Sequence, residues 1–177
     1  MAVQEIHRPQ NAGQLAVGSI ITTIHSLPRP TTFTLCAGAS EGETDLTAFD
    51  GALLKAGIAN VNLLRVSSIL PPGAKHHEKL DIPPGSLVPT AYGSITSDVP
   101  GQTISACIGV GLSADTYGVI MEFSGVCGAK RAEDTIKAMI KEAFAKRNLP
   151  LVKTMVKSAE HKVEKIGCAF AAVPLWY

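Results

Sequence analysis

The chain has 177 residues, 46% hydrophobic and 18% charged, with a formal net charge of +1. That length fits one domain able to bury its own core, and the apolar content excludes a disordered chain. The near-zero charge leaves no global field for nucleic acid or an anionic membrane. The charged fraction lies below the roughly 25% usual for globular proteins, a shortfall that fits surface covered by other subunits.

Met1 to Gln10 is polar and carries no signal-peptide pattern. Val17–Ile24 has the composition of a strand, and Pro28-Arg29-Pro30 breaks the chain after it, so residues 1–30 read as an N-terminal extension of unknown role. From Thr31 to Ala37, Thr32, Thr34 and Cys36 alternate with Phe33, Leu35 and Ala37, the period of a half-buried strand. Gly38–Gly42 reads as a turn. A helix is predicted over Thr44–Ala56, with Leu46, Phe49, Leu53 and Ala56 on its apolar face and Gly57 as its cap. Ile58–Leu70 is strand-like up to Pro71-Pro72-Gly73, and Lys75–Pro84 reads as an exposed linker.

Three strands follow, Ser86–Thr96, Thr103–Leu112 and Tyr117–Ser124, with breaks that suit antiparallel neighbours. Ala129–Asn148 is the strongest helical pattern, with Ala132, Ile136, Met139, Ile140 and Phe144 on one face and Pro150 ending it. Leu151–Ser158 and Val163–Val173 add two strands. The order of elements predicts an α+β fold with helices packed on sheets, in one domain over 31–177. Apolar runs such as Cys168–Trp176 fall far short of a membrane span. Cys36, Cys107, Cys127 and Cys168 form no CxxC pair and read as buried thiols in a reducing cytoplasm.

Common motifs carry little. Gly109-Val110-Gly111 lacks the third glycine and following helix of a phosphate loop, and His76-His77 has no third ligand at metal-site spacing. Neither Ser67 nor Ser68 has the frame of a hydrolase nucleophile. The informative stretch is AFDGALLKAGIANVNLLRVSSILPPGA, Ala48 to Ala74. Stiff Pro-Pro geometry after a strand end can hold the Ser67–Ser68 peptide in one shape. Such a bond rearranges when the second serine's hydroxyl attacks the carbonyl before it; the ester then eliminates its chain, leaving dehydroalanine that hydrolyses to a pyruvoyl group. Adjacent serines before a turn are common, and alone they do not single out this chemistry.

The run NVNLLRVSSILPPGA, preceded by LTAFDGALLKAGI, resembles the pyruvoyl-dependent arginine decarboxylases. GVIMEFSG at Gly118–Gly125 and GCAFAAV at Gly167–Val173 match in the right order, so the resemblance spans about Thr31 to Tyr177. It implies a layered αββα sandwich assembled as a trimer of αβ protomers. It also implies a precursor that cuts itself between Ser67 and Ser68 into residues 1–67 and 68–177, with Ser68 becoming the pyruvoyl group. The substrate amine would form an imine with that ketone, giving agmatine and carbon dioxide from L-arginine, with neither pyridoxal phosphate nor a metal. Glu122 matches the acid that reprotonates the carbon, Asn62 an asparagine that helps set up cleavage and the site, and Asp50 the carboxylate for the guanidinium. Rivals are a pyruvoyl decarboxylase for another amino acid, such as histidine, and an unprocessed trimeric paralogue without catalysis.

The residues themselves bear on these roles. Val119, Met121 and Phe123 share one face of their strand, and Glu122 lies on the other with Ile120 and Ser124. An apolar pocket there would let it hold a proton near neutral pH; an exposed strand glutamate is the plain alternative. Asn62 and Ser68 share a face but stand about 20 Å apart on a straight strand. One site can hold both only if the chain turns sharply or a neighbouring subunit supplies one. Glu41, Glu43, Asp45 and Asp50 make an acidic segment suited to a guanidinium, with Asp50 the first candidate and Asp45 the second. Acids near a helix start are also favoured by its dipole.

Overall fold

The computed structural model describes residues 27–177, so the strand expected at Val17–Ile24 lies outside the described residues. The chain begins with two strands, Thr32–Phe33 (β1) and Cys36–Glu41 (β2), then the helix Asp45–Ala56 (α1). Short strands follow at Asn62–Arg65 (β3), Ile69–Leu70 (β4) and Lys75–His76 (β5). The long strands are Leu87–Ser97 (β6), Thr103–Leu112 (β7) and Gly118–Gly125 (β8). The helix Ala129–Lys146 (α2) precedes the hairpin Lys153–Lys162 (β9) and Gly167–Trp176 (β10). The class is α+β, as expected.

Two sheets form. In the first, the order is β3-β6-β10-β1-β5, with β2 also on β10; in the second it is β4-β8-β7-β9. The strands expected to be three antiparallel neighbours divide between the sheets: β7 pairs β8, whereas β6 lies parallel to β3 and antiparallel to β10. Phe33, Ala91, Ala169, Ala171 and Val173 of the first sheet share one apolar cluster with Ile104, Ile108, Val110 and Ile120 of the second. Ala48, Ala52 and Leu53 of α1 join Cys168, Phe170 and Ala172, the other face of β10. Ile136, Ile140 and Phe144 of α2 join Cys107 and Val119. Covered on both faces, β10 is apolar along its length instead of alternating, which is how GCAFAAV arises.

Local chemistry sets the helix ends. Thr44 and Thr47 cap α1 reciprocally, and Gly57 closes it in the left-handed conformation at φ 79°. Gly128 has no side chain to cap α2, and Glu160 of β9 accepts the Ala129 N–H at 2.6 Å instead. Several expectations need correction. Gly38 is not in a turn but inside β2, because α1 crosses so closely that a Cβ there would meet Ala52 O and Ala56 N at 2.5 Å. Leu46 does not join the buried face of α1; it is 75% exposed. Part of the expected linker pairs as β5 with β1, and His76 packs on Phe33 with ring centroids 5.4 Å apart. Gly109 and Gly111 leave room for α2: a Cβ at either would collide with Ile136 or Phe144.

Candidate active site

The predicted strand Ile58–Leu70 is broken where the chemistry was expected. β3 runs parallel to β6, Asn62 opposite Leu87 and Arg65 opposite Thr90, and the Val66 N–H still donates to the Thr90 carbonyl at 3.2 Å. The chain then leaves the first sheet, and by Ile69 it pairs with Val119 in the second. The Ser67–Ser68 peptide therefore lies in the crossing between sheets, instead of at the end of one continuous strand. Its downstream side is anchored: the Ile120 N–H donates to the Ser68 carbonyl at 2.7 Å. Pro71 to Ala74 forms a turn only after β4 has paired. Ser67 is exposed and Ser68 half-buried. A cavity of about 280 Å³ opens on Val66, Ser67 and Ile69, with Pro30, Pro89 and Tyr177 among its walls. A larger one of about 640 Å³ lies away from the serines, between the end of α1 and residues 78–84.

Glu122 lies two residues along β8 from the Ile120 anchor and points as its parity requires. Met121 and Phe123 pack toward α2, while Ile120 enters the cluster between the sheets. Glu122 faces β6, where a Cβ on Gly93 would stand 3.4 Å from its own Cβ. Of the two settings left open for it, an apolar pocket or an exposed strand, the structure gives neither fully: its side chain is 32% exposed and its Oε1 lies 3.9 Å from Arg65 Nη2. Arg65 also donates to the Tyr92 carbonyl at 3.2 Å and stacks over the Tyr92 ring at 4.8 Å. Sequence reasoning missed Arg65; its signal was a lone cation in the apolar run NVNLLRV, three residues before Ser68.

The other candidates stand elsewhere in the chain. Asn62 is exposed and donates through Nδ2 to the Gly85 carbonyl at 2.9 Å. It sits opposite Leu87, six residues along β6 from Gly93, so roughly 20 Å separates it from Glu122 at about 3.3 Å per residue. Asp45 and Asp50 are exposed on α1, which packs on the face of the first sheet turned away from the second. The acidic segment is not one cluster. Glu41 closes the β9–β10 hairpin, its carboxylate meeting the His161 ring and the N–H groups of Glu164 and Lys165.

Burial disfavours the thiolate at three of the four cysteines. Burial pushes Cys36 up to about 12 against the opposing Lys157 charge, and Cys107 likewise, with Glu133 adding to it. Burial also raises Cys168, whereas Cys127, expected to be buried, is half-exposed. Among the described residues no group of three His, Cys, Asp or Glu side chains converges as a metal site, and no helix is long and apolar enough to cross a membrane.

The model of the pyruvoyl-dependent arginine decarboxylases matches residues 32–177. The chain belongs to that family. Among its relatives, the pyruvoyl-dependent arginine decarboxylase of Methanocaldococcus jannaschii is 55% identical over 150 residues, 84% of this chain and 91% of that protein. The Methanococcus aeolicus protein of the same name is 49% identical over 160 residues, 89% and 97% of the two chains. That of Thermococcus kodakarensis is 45% identical over 143 residues, 80% and 91%. The family's cofactor is made in place from a serine, and in the crossing Ser67 is exposed while the Ser68 carbonyl accepts the Ile120 N–H, a setting that fits it.

Proposed function

We propose that this chain cuts its own Ser67–Ser68 bond and, as a homo-oligomer, converts L-arginine to agmatine and carbon dioxide. The observation that carries the reading is the serine pair in the crossing between sheets, its carbonyl held two residues from Glu122, in a chain of this family. Ser68 Oγ attacks the Ser67 carbonyl carbon and the peptide becomes an ester. Elimination then releases residues 1–67 as a carboxylate; water adds and ammonia leaves, so residues 68–177 begin with a pyruvoyl group.

That group supplies a ketone for the substrate's amine and a sink for the electron pair that carbon dioxide leaves behind. Glu122 delivers a proton to the substrate carbon. Asp50 takes the guanidinium through a charged, two-oxygen contact, with Asp45 the second choice. Asn62 helps set up the cleavage and the site. Within one protomer Asn62 and Asp50 stand apart from the serines, and we read them as serving the centre of a neighbouring copy. The assembly is then a trimer of αββα sandwiches, and the exposed Leu46 and Leu54, flanking Asp50 at helical spacing, support burial of that surface. Four free thiols support a cytoplasmic location.

Intact-mass measurement is the test. The purified protein should give two polypeptides, 1–67 and 68–177, the second blocked to Edman sequencing, while Ser68→Ala should give one unbroken chain. A pure, folded parent protein that stays uncut and releases no agmatine sinks the reading; histamine release in place of agmatine sinks the choice of arginine.

A further inference from the structure

Arg65 has no part in the scheme above, yet its guanidinium is held on three sides. Its Nη2 donates to the Tyr92 carbonyl, its carbon lies over the Tyr92 ring, and Glu122 Oε1 is 3.9 Å away. Its backbone is fixed by the parallel pairing of β3 with β6, opposite Thr90. Only a planar cation uses a carbonyl at its edge and a ring at its face together. Glu122, by contrast, has few restraints. Among the described residues no hydrogen bond holds its carboxylate, Gly93 gives it no side-chain wall, and Arg65 is the one cation within ion-pair distance.

We propose that Arg65 is a positioning residue: from the last residue of β3 it fixes where the Glu122 carboxylate stands beside Ser68. The inference rests on Glu122 being the proton donor. A donor must lie within hydrogen-bond reach of the carbon it serves, and a misplacement of about 1 Å can cost about a hundredfold in rate. With its side chain 60% exposed, Arg65 adds little to stability through this ion pair, so its contribution lies in geometry. Arg65 belongs to residues 1–67 and its contacts to residues 68–177. The shorter polypeptide thereby orients a reacting group on the longer one.

A double-mutant cycle tests this, with processing followed by mass and stability by melting. Arg65→Gln should cut itself and melt like the parent, while kcat falls about tenfold at unchanged KM. Arg65→Lys should recover part of the loss. In a Glu122→Gln background, which cuts itself but turns over poorly, adding Arg65→Gln should cause no further fall. In uncut Ser68→Ala protein, where no turnover is needed, Arg65→Gln should shift or broaden the carbon-13 signal of the Glu122 carboxyl. A tenfold loss that persists in the Glu122→Gln background, a rise in KM at constant kcat, or an unmoved carboxyl signal overturns the role of Arg65 alone. Normal turnover by Glu122→Gln overturns the donor reading on which it stands.

Discussion

Replacing Glu41 by Gln should destabilise the protein at neutral pH and do progressively less as the solution is acidified. The carboxylate accepts the Glu164 N–H at 2.9 Å on one oxygen and the Lys165 N–H at 3.0 Å on the other, with the His161 ring against the first. Burial by itself would raise its pKa; the Glu164 N–H, the His161 ring and the Lys165 N–H outweigh that and bring it from 4.5 to about 2. At 1.36 kcal/mol per unit the ceiling is about 3.4 kcal/mol. The side chain is 27% exposed, and screening by water reduces this to about 1–2 kcal/mol. Glutamine keeps one acceptor oxygen and turns an NH₂ toward the other N–H. The folded-state value lies below the unfolded one, so the stabilisation is complete above about pH 4.5 and is lost as pH falls through about 2. Melting curves at equal protein concentration should separate parent and variant by about 2–8 °C at pH 7. The gap should shrink to less than about half by pH 3. No gap at pH 7, or one that stays constant down to pH 3, refutes the reasoning.

Gly38→Ala should lower the urea midpoint, because its Cβ meets the α1 backbone at 2.5 Å and the helix must lift, at about 1–3 kcal/mol. An unchanged midpoint would mean that β2 and α1 separate freely. Asp50→Asn should raise KM for arginine about tenfold and leave kcat nearly as it was, since a neutral amide weakens the guanidinium contact before chemistry begins. Steady-state kinetics with an unmoved KM would remove Asp50 from substrate binding.

The sequence made legible what depends on neighbours along the chain. The span of α1 and its Gly57 cap, the apolar stripe of α2 and the parity that turns Glu122 away from Met121 and Phe123 all follow from local pattern. What it hid depends on partners far along the chain. Ile58–Leu70 reads as one strand because its composition is uniform, yet its ends pair with β6 and β8 in different sheets. Gly38 reads as a turn because nothing local announces the helix lying against it. The acidic run Glu41 to Asp50 looked like one electrostatic feature, but Glu41 is used by backbone N–H groups well over a hundred residues away. The serine pair stands out only through the family resemblance, since adjacent serines carry no local signal of reactivity.

The way β10 is flanked has a consequence for the life history of the protein. Along one edge it carries β1 and β2 and along the other β6, which in turn carries β3. After a cut at Ser67–Ser68, β1, β2 and β3 belong to one polypeptide while β6 and β10 belong to the other. The fragments cannot part without dismantling the first sheet. Assembly of that sheet is an intramolecular event in the uncut chain, where the linkage keeps its strands at high effective concentration. In the cut protein the same step is an encounter of two molecules, and its rate falls with dilution. A precursor cut there would carry folding information that maturation discards: once its structure was lost, the cut molecule would have no unimolecular way back.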